Sequence, residues 1–387
     1  MSRSLLVNAF VALLLIVLTA TIIGMVTLWP DDRDPLAAPT GAAPSKTEPA
    51  RVTGVRQSRC GASTPFTCMR VEAELNSGKR TSFTVARAEA EFGVGDRIRV
   101  YRNPTPEIQV PGVRLDEYGF ADFERRRPLL VLLGIFAALV IVTGRWQGVK
   151  ALAGLAASLL VIVFFVVPAI LAGESPAGVA LVGSLAVMFA TIPLAHGLGP
   201  KTLAACLGTA AALVLTLWLA DLFTGLAHLS GISSEEAVFL RASNEDLSLR
   251  GLLLAGMVIG ALGVLDDLTV SQASTVMALR RANPALGFRA LFTGALSVGH
   301  DHIAATVNTL VLAYAGASLP ILLVFGLADT PLGEATNFES VAEAIVATLV
   351  GSIGLIAAVP ATTALAALLA LDMGQDQLET ADLGHAH

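Results

Sequence analysis

The chain has 387 residues, of which 54% are hydrophobic and only 14% charged, with a formal net charge of −6. Soluble domains carry about a quarter charged residues, and a mean hydropathy of +0.71 concentrated in several long runs excludes an ordinary water-soluble fold in favour of membrane spans. The acidic balance argues against nucleic acid as a partner, since nucleic acid attracts basic patches.

In chain order, the first apolar run is Leu5–Leu28. It is longer than a signal-peptide core and ends on Trp29-Pro30 without a small-residue cleavage site, so residues 1–30 are expected to stay as an anchor helix. Residues 31–50 are rich in Pro, Ala and Asp and read as a solvated linker. Residues 51–127 then show short alternating runs: Arg51–Arg56, Thr67–Leu75, Thr81–Ala86 and Arg97–Arg102. Asn76-Ser77-Gly78 and Gly93-Val94-Gly95-Asp96 are turn signals between them. A small β-barrel of the SH3 or OB general kind is expected here, on the extracytoplasmic side. Cys60 and Cys68 lie close together in this segment. An oxidising compartment favours a disulfide between them over two free thiols.

Residues 128–371 carry the remaining candidate spans: Leu129–Thr143, Ala151–Leu171, Ala177–Ala195, Leu203–Phe223, a run from Gly251, a region within Ala290–Ala328, and Ala342–Leu371. With the anchor these make about eight, each near the ~20 residues a bilayer needs. Leu319–Ala328 reads equally as part of a full crossing or as a re-entrant piece after Pro320. The fold class is therefore mainly α, a polytopic membrane helix bundle with a small β-barrel-like domain inserted after the first span. Alternating spans put Arg145, Lys150, Lys201, Arg280, Arg281 and Arg289 on one side, with Glu174, Glu235, Glu236, Glu245, Asp246, Asp329, Glu334 and Glu339 on the other. The basic side is expected to be cytoplasmic. That leaves residues 31–127 outside the plasma membrane and residues 372–387 as a disordered cytoplasmic tail; Arg125-Arg126-Arg127 violates the pattern.

The ionisable residues that stand out are Asp266-Asp267 and His300-Asp301-His302, both inside apolar sequence. Charge at membrane depth is costly and marks function by default. If the sixth span runs from Gly251 to about Leu279 and the next from Phe288 to about Gly316, Asn283-Pro284 is the turn between them. Folded antiparallel, Asp267 and His300 lie equally far from that turn, roughly 25 Å along each helix. Ser297, Asp301 and Asn308 share one helical stripe, and Asp267, Ser271 and Ser274 share another. A polar seam across the hairpin is the expectation, with Asp266, Asp267, Ser271, Ser297, His300, Asp301, His302 and Asn308 lining a solute or ion pathway. His300 and His302 diverge by about 200° on a regular helix, so they share one ion only if the helix unwinds near Gly299. Two plainer alternatives stand beside this. The Asp–His pairs could simply hold two helices together, or the sixth span could end at Leu268 and leave the Asp pair hydrated at the cytoplasmic boundary.

Several segments resemble the YibE/F family of bacterial multi-span membrane proteins, in its long actinobacterial-type form. They are Gly95–Val100, Tyr118–Pro128, Gly144–Gly148 and, most specifically, Gly260–Ser274 and Gly299–Ser318. The resemblance implies a polytopic membrane protein with a suspected transport role and supplies no substrate. The residues themselves suggest a permease or secondary transporter of a small solute or ion. Protons could be the coupling ion, or a divalent metal held by His300, Asp301 and Asp267. The alternative is an envelope scaffold that docks a partner through the outer β-domain. No zinc-protease His-Glu-x-x-His, Gly-x-Ser-x-Gly elbow or P-loop occurs, so an enzyme is not expected.

Overall fold

The computed structural model describes residues 3–30, 46–59, 67–86, 91–103, 116–244 and 246–373. The chain divides into two compact units, Ala38–Val142 and the remainder.

The smaller unit holds five strands: β1 (Glu48–Arg59), β2 (Thr67–Leu75), β3 (Arg80–Ala86), β4 (Arg97–Arg102) and β5 (Tyr118–Phe123). All pairings are antiparallel, in the order β3-β2-β1-β4-β5. The end strands β3 and β5 also approach each other, so the sheet curls into a partly open barrel of the OB kind rather than lying flat. Period-two alternation is the cause. Val71, Ala73 and Leu75 turn inward with Val52, Phe83, Val85, Ile98 and Val100, while Glu72 and Glu74 point outward to Arg56 and Arg80. Both predicted turns form, and each places a glycine at positive φ, Gly78 at +81° and Gly95 at +100°, where a side chain would be strained. The strand β5 was not expected. A register irregularity opposite Arg99/Val100 turns both Phe120 and Phe123 onto Phe92, so its sequence does not alternate cleanly. Cys68 is disulfide-bonded; Cys60, its expected partner, lies outside the described residues.

The larger unit is helical. Its elements are α1 (Arg3–Thr27), the later part of α2 (Arg126–Val161), a π-helical turn (Ile162–Val166), α3 (Val167–Leu171), α4 (Pro176–His196), α5 (Pro200–Leu226), α6 (Glu235–Ser243), α7 (Leu249–Ala282), α8 (Phe288–Ala317), α9 (Leu319–Leu327), α10 (Leu332–Ala335) and α11 (Glu339–Asp372). Among the described residues six helices are long and apolar enough to cross a membrane, and α8 with α9, bent by 58° at their junction, make a seventh. The helical stretch Arg126–Leu171 counts once among the six, although its backbone leaves helical geometry at Arg145, between the two spans expected there. The protein is thus a multi-span membrane protein with a small curled β-sheet.

The core centres on α5, α7 and α11, whose buried faces supply most of the apolar contacts. Small residues let these helices approach closely, as they do where no hydrophobic force drives helices together in lipid. A Cβ on Gly208 of α5 would fall 2.0 Å from Thr362 Oγ1 and 3.0 Å from its Cβ on α11. Farther along the same contact, Gly354 of α11 meets Thr216 of α5. The end of α7 is tied to that of α11 where Arg280 donates to the Ala370 carbonyl at 3.2 Å. At the opposite end, Glu339 accepts hydrogen bonds from Ser230 Oγ (2.8 Å) and the Gly231 amide (2.9 Å), fixing the loop after α5 to the start of α11.

Two outcomes follow. Gly208→Ala should cost about 1–3 kcal/mol through overpacking and lower the thermal midpoint of the solubilised protein, whereas Gly351→Ala, with nothing within 4 Å, should leave it unchanged. In the β-sheet unit, Arg99 hydrogen-bonds Glu124 at 3.0 Å and holds its carboxyl below the usual glutamate range. A depressed carboxyl stabilises the fold above its ordinary pKa, and that contribution is lost as the pH falls through the depressed value. Glu124→Gln should therefore speed hydrogen exchange in β4 and β5 at neutral pH, with wild type and variant converging in acid.

Candidate functional site

Asp266 and Asp267 lie near the midpoint of the 34-residue α7. The helix continues past Leu268 to Ala282. A buried hydroxyl pair beside the two aspartates links mid-α7 to α5: Thr269 Oγ1 and Thr209 Oγ1 are 2.7 Å apart. Thr209 is nine residues inside the start of α5, or about 13 Å along the helix. Thr269 Oγ1 also reaches the Asp266 carbonyl at 3.2 Å. A hydroxyl has one proton to donate, so Thr269 gives its own to that carbonyl and accepts the one from Thr209.

The Asp266 side chain turns toward α4. Thr191 Oγ1 donates to its Oδ2 at 3.2 Å, while its Oδ1 is buried with no hydrogen-bond partner. A buried carboxylate oxygen without a donor is costly, and Asp266 is also one of the residues that line a cavity. The cavity measures about 550 Å³ and lies among α2, α4 and α7. Its polar lining comprises Lys150 and Ser158 from α2, Thr191 and His196 from α4, and Asp266, Asp267, Ser271 and Ser274 from α7. Gly154 and Gly263 open its walls. Such a volume suits a small solute, and the lining offers two carboxylates, an ammonium and several hydroxyls to hold one.

The expected union of the Asp pair with His300-Asp301-His302 is not formed. The antiparallel hairpin itself is present, with Asn283 and Pro284 between α7 and α8 and Gly294 beside Leu279. But α8 meets α7 through Gln272, whose Nε2 donates to the Ala295 carbonyl at 2.8 Å. Gly299 packs there too, since a Cβ on it would lie 3.0 Å from Gln272 Oε1 and 2.7 Å from Val359 Cγ1. Gln272 is five residues from Asp267, about 140° round the helix, and Asp301 is about 200° round α8 from Gly299. Equal distance from the turn fixed the height of these residues but not the direction in which they point. Ser297, His300, Asp301, His302 and Asn308 are all exposed on α8. Of the expected pathway residues, the structure therefore brings together Asp266, Asp267 and Ser271 and leaves the α8 set apart. Nor do Asp267, His300 and Asp301 converge on a metal: among the described residues no group of three or more His, Cys, Asp or Glu could hold one.

Sequence reasoning missed Lys150, Ser158, Thr191 and His196. Lys150 and His196 sit near helix ends, where they read as loop residues, and one serine or threonine in an apolar span carries no signal of what it faces. Asp221 pairs with Arg250 at 2.8 Å on the surface, and Pro360 lies within an unbroken α11.

A family model described as YibE/F-like protein matches residues 132–372. Comparison with curated proteins and with solved structures gave no match.

The cavity lining is expected to admit water-borne reagents. Ser274→Cys and Ser158→Cys should react with a small charged methanethiosulfonate at least about tenfold faster than Cys206, which is fully buried and so shielded from attack. Equal rates at all three positions would show that the cavity is closed.

Proposed function

We propose that this chain, which belongs to the YibE/F-like family, is a permease or secondary transporter whose cargo passes through the cavity lined by Asp266 and Asp267. The observation that carries this reading is the pair of carboxylates, Asp266 and Asp267, lining one cavity of solute size, with Asp266 Oδ1 left unpartnered. Ionisable groups deep in a membrane bundle serve proton relays and ion pathways. A bound proton or cation would satisfy the orphaned oxygen, and releasing it would leave that oxygen buried and costly again. That difference couples the charge on the Asp pair to occupancy of the cavity. Lys150 and the hydroxyls of Ser158, Thr191, Ser271 and Ser274 supply donors and acceptors for a polar solute. Cargo with both an anionic and a cationic or donor group suits a lining of mixed sign.

Orientation follows from charge. The chain ends bearing Lys201, Arg280, Arg281 and Arg289 gather with the end of α11, as the Arg280–Ala370 contact requires. The acidic loops gather at the opposite end, tied by Glu339 to Ser230. The basic end faces the cytoplasm under the positive-inside rule, which sets the β-sheet unit outside a bacterial plasma membrane. Lys150, Ala195 and His196 lie toward the basic end, so the cavity opens inward in this state.

The test is flux. Cells or proteoliposomes carrying Asp266→Asn or Asp267→Asn should lose at least about tenfold of the solute or metal movement that the wild type supports, with protein levels unchanged. Full flux in both variants would exclude this cavity. If residues 51–117 were instead required for every phenotype and neither Asp mattered, a scaffold working through the β-sheet would replace the transporter.

A further inference from the structure

The polar residues of α8 that do not reach the cavity raise a separate question. The helix buries Leu291, Ala295 and Gly299 against α7 and α11. Its opposite side, within about 60° of Asp301 on a helical wheel, presents Ser297, Asp301, Ala304, Ala305, Asn308 and Leu312, all exposed. His300 and His302 flank this side at about 100° to the left and right and are exposed too. This is not a helix end at the water boundary. Gly299 abuts Gln272 in the second half of α7, and farther along α8 the Tyr314 hydroxyl lies 3.5 Å from where a Cβ on Gly260 would stand, so Asp301 falls between these levels, well inside the bundle's height. An aspartate, an asparagine and two histidines facing hydrocarbon at that depth would be costly.

We propose that this face of α8 is covered by the same face of a second copy of the chain, around a two-fold axis along the membrane normal. Such an axis sets two α8 helices parallel at equal depth, so each residue meets its own counterpart or a near neighbour. The face is self-complementary in that arrangement. Asn308 carries both an amide donor and a carbonyl acceptor and can pair with Asn308 of the other copy. Asp301 faces its counterpart across the axis, and each carboxylate can accept a hydrogen bond from a His300 or His302 imidazole of the other copy, one residue or about 1.5 Å away in height. The centre of the face is Ala304 and Ala305, small enough for two helices to approach closely. An apolar partner would leave Asp301 and Asn308 unsatisfied, and a partner of fixed single charge would oppose either the Asp or the His residues. This inference does not rest on the transport reading, and it survives if the cavity proves inert.

The experiment uses the full-length protein in its native membrane with Cys206→Ala as background. Ala305→Cys, at the middle of the face, is oxidised with copper phenanthroline and compared with Leu349→Cys, an exposed position on α11 (55%). The expected result is a reducible dimer at Ala305→Cys at least tenfold more abundant than at Leu349→Cys. Adding Ala304→Trp, which fills the face, should lower that yield at least tenfold. Native mass spectrometry of the wild type released from lipid nanodiscs should give the dimer mass. A monomer mass together with equal crosslinking at the two cysteines overturns the proposal, as does capture of a different polypeptide by Ala305→Cys.

Discussion

One helix has to satisfy three neighbours at once. Within seven residues of mid-α7, Asp266 turns to Thr191 on α4, Thr269 to Thr209 on α5, and Gln272 to the Ala295 carbonyl on α8. Steps of three residues rotate a helix by about −60° each, so these side chains fan across roughly a third of its circumference. Polar groups in a bilayer must find partners inside the protein, and this fan is how α7 finds them without breaking. At its α4 edge, Thr191 satisfies one oxygen of Asp266 and leaves the other open.

The same constraint explains what could be read in advance. Apolar runs and turn residues are one-dimensional signals, and they located the long apolar helices, the Asn283-Pro284 turn, and four of the five strands. Strand β2 and strand β4 begin and end at the expected residues, because alternation and flanking glycines define them locally. Strand β5 was missed for an equally local reason, since its bulge places Phe120 and Phe123 on one side and spoils the period. The reading of the site failed differently. Counting residues from the hairpin turn gives height along each helix, and Gly299 does pack level with Gln272 across it. Direction round each axis depends on which neighbours compete for a face, and no count from the turn contains that. Gln272 took the α8-facing position that Asp267 was expected to fill, because an amide can donate to a helix carbonyl where a carboxylate would repel it. Serine, threonine and lysine from α2 and α4 entered the site without any pattern in their own segments.

Two polar sets therefore sit at similar depth on different sides of α7 and have different solutions. Asp266 and Asp267 line a cavity with α2 and α4, among hydroxyls and one ammonium. His300, Asp301, His302 and Asn308 have no roof within the chain's described residues. In the proposed transporter the first set exchanges a small cargo, and the orphaned oxygen of Asp266 is costly whenever the site is empty. In the proposed dimer the second is covered once and stays covered, because small alanines and complementary polar groups favour a fixed helix–helix contact.

These two solutions constrain each other. The α8 face and the cavity are separated by the body of α7, whose Gln272 and Asp267 sides diverge by about 140°. If α8 helices meet at a two-fold axis, each cavity lies away from that axis, between α4 and α7 of its own protomer. Cargo would then move through each protomer separately, and a central pore along the axis would be lined by α8 rather than by the Asp pair. The pairing would matter to transport mechanically. It would hold α8 and the α7 and α11 surfaces packed on it as a fixed frame, against which α2 and α4, the cavity's other walls, could move. Rocking of one helix group against another around a fixed site is a general route to alternating access. Here the buried contacts of α5, α7, α8 and α11 form the stationary group, while Thr191 on α4 makes the hydrogen bond to Asp266 that such a motion would have to break.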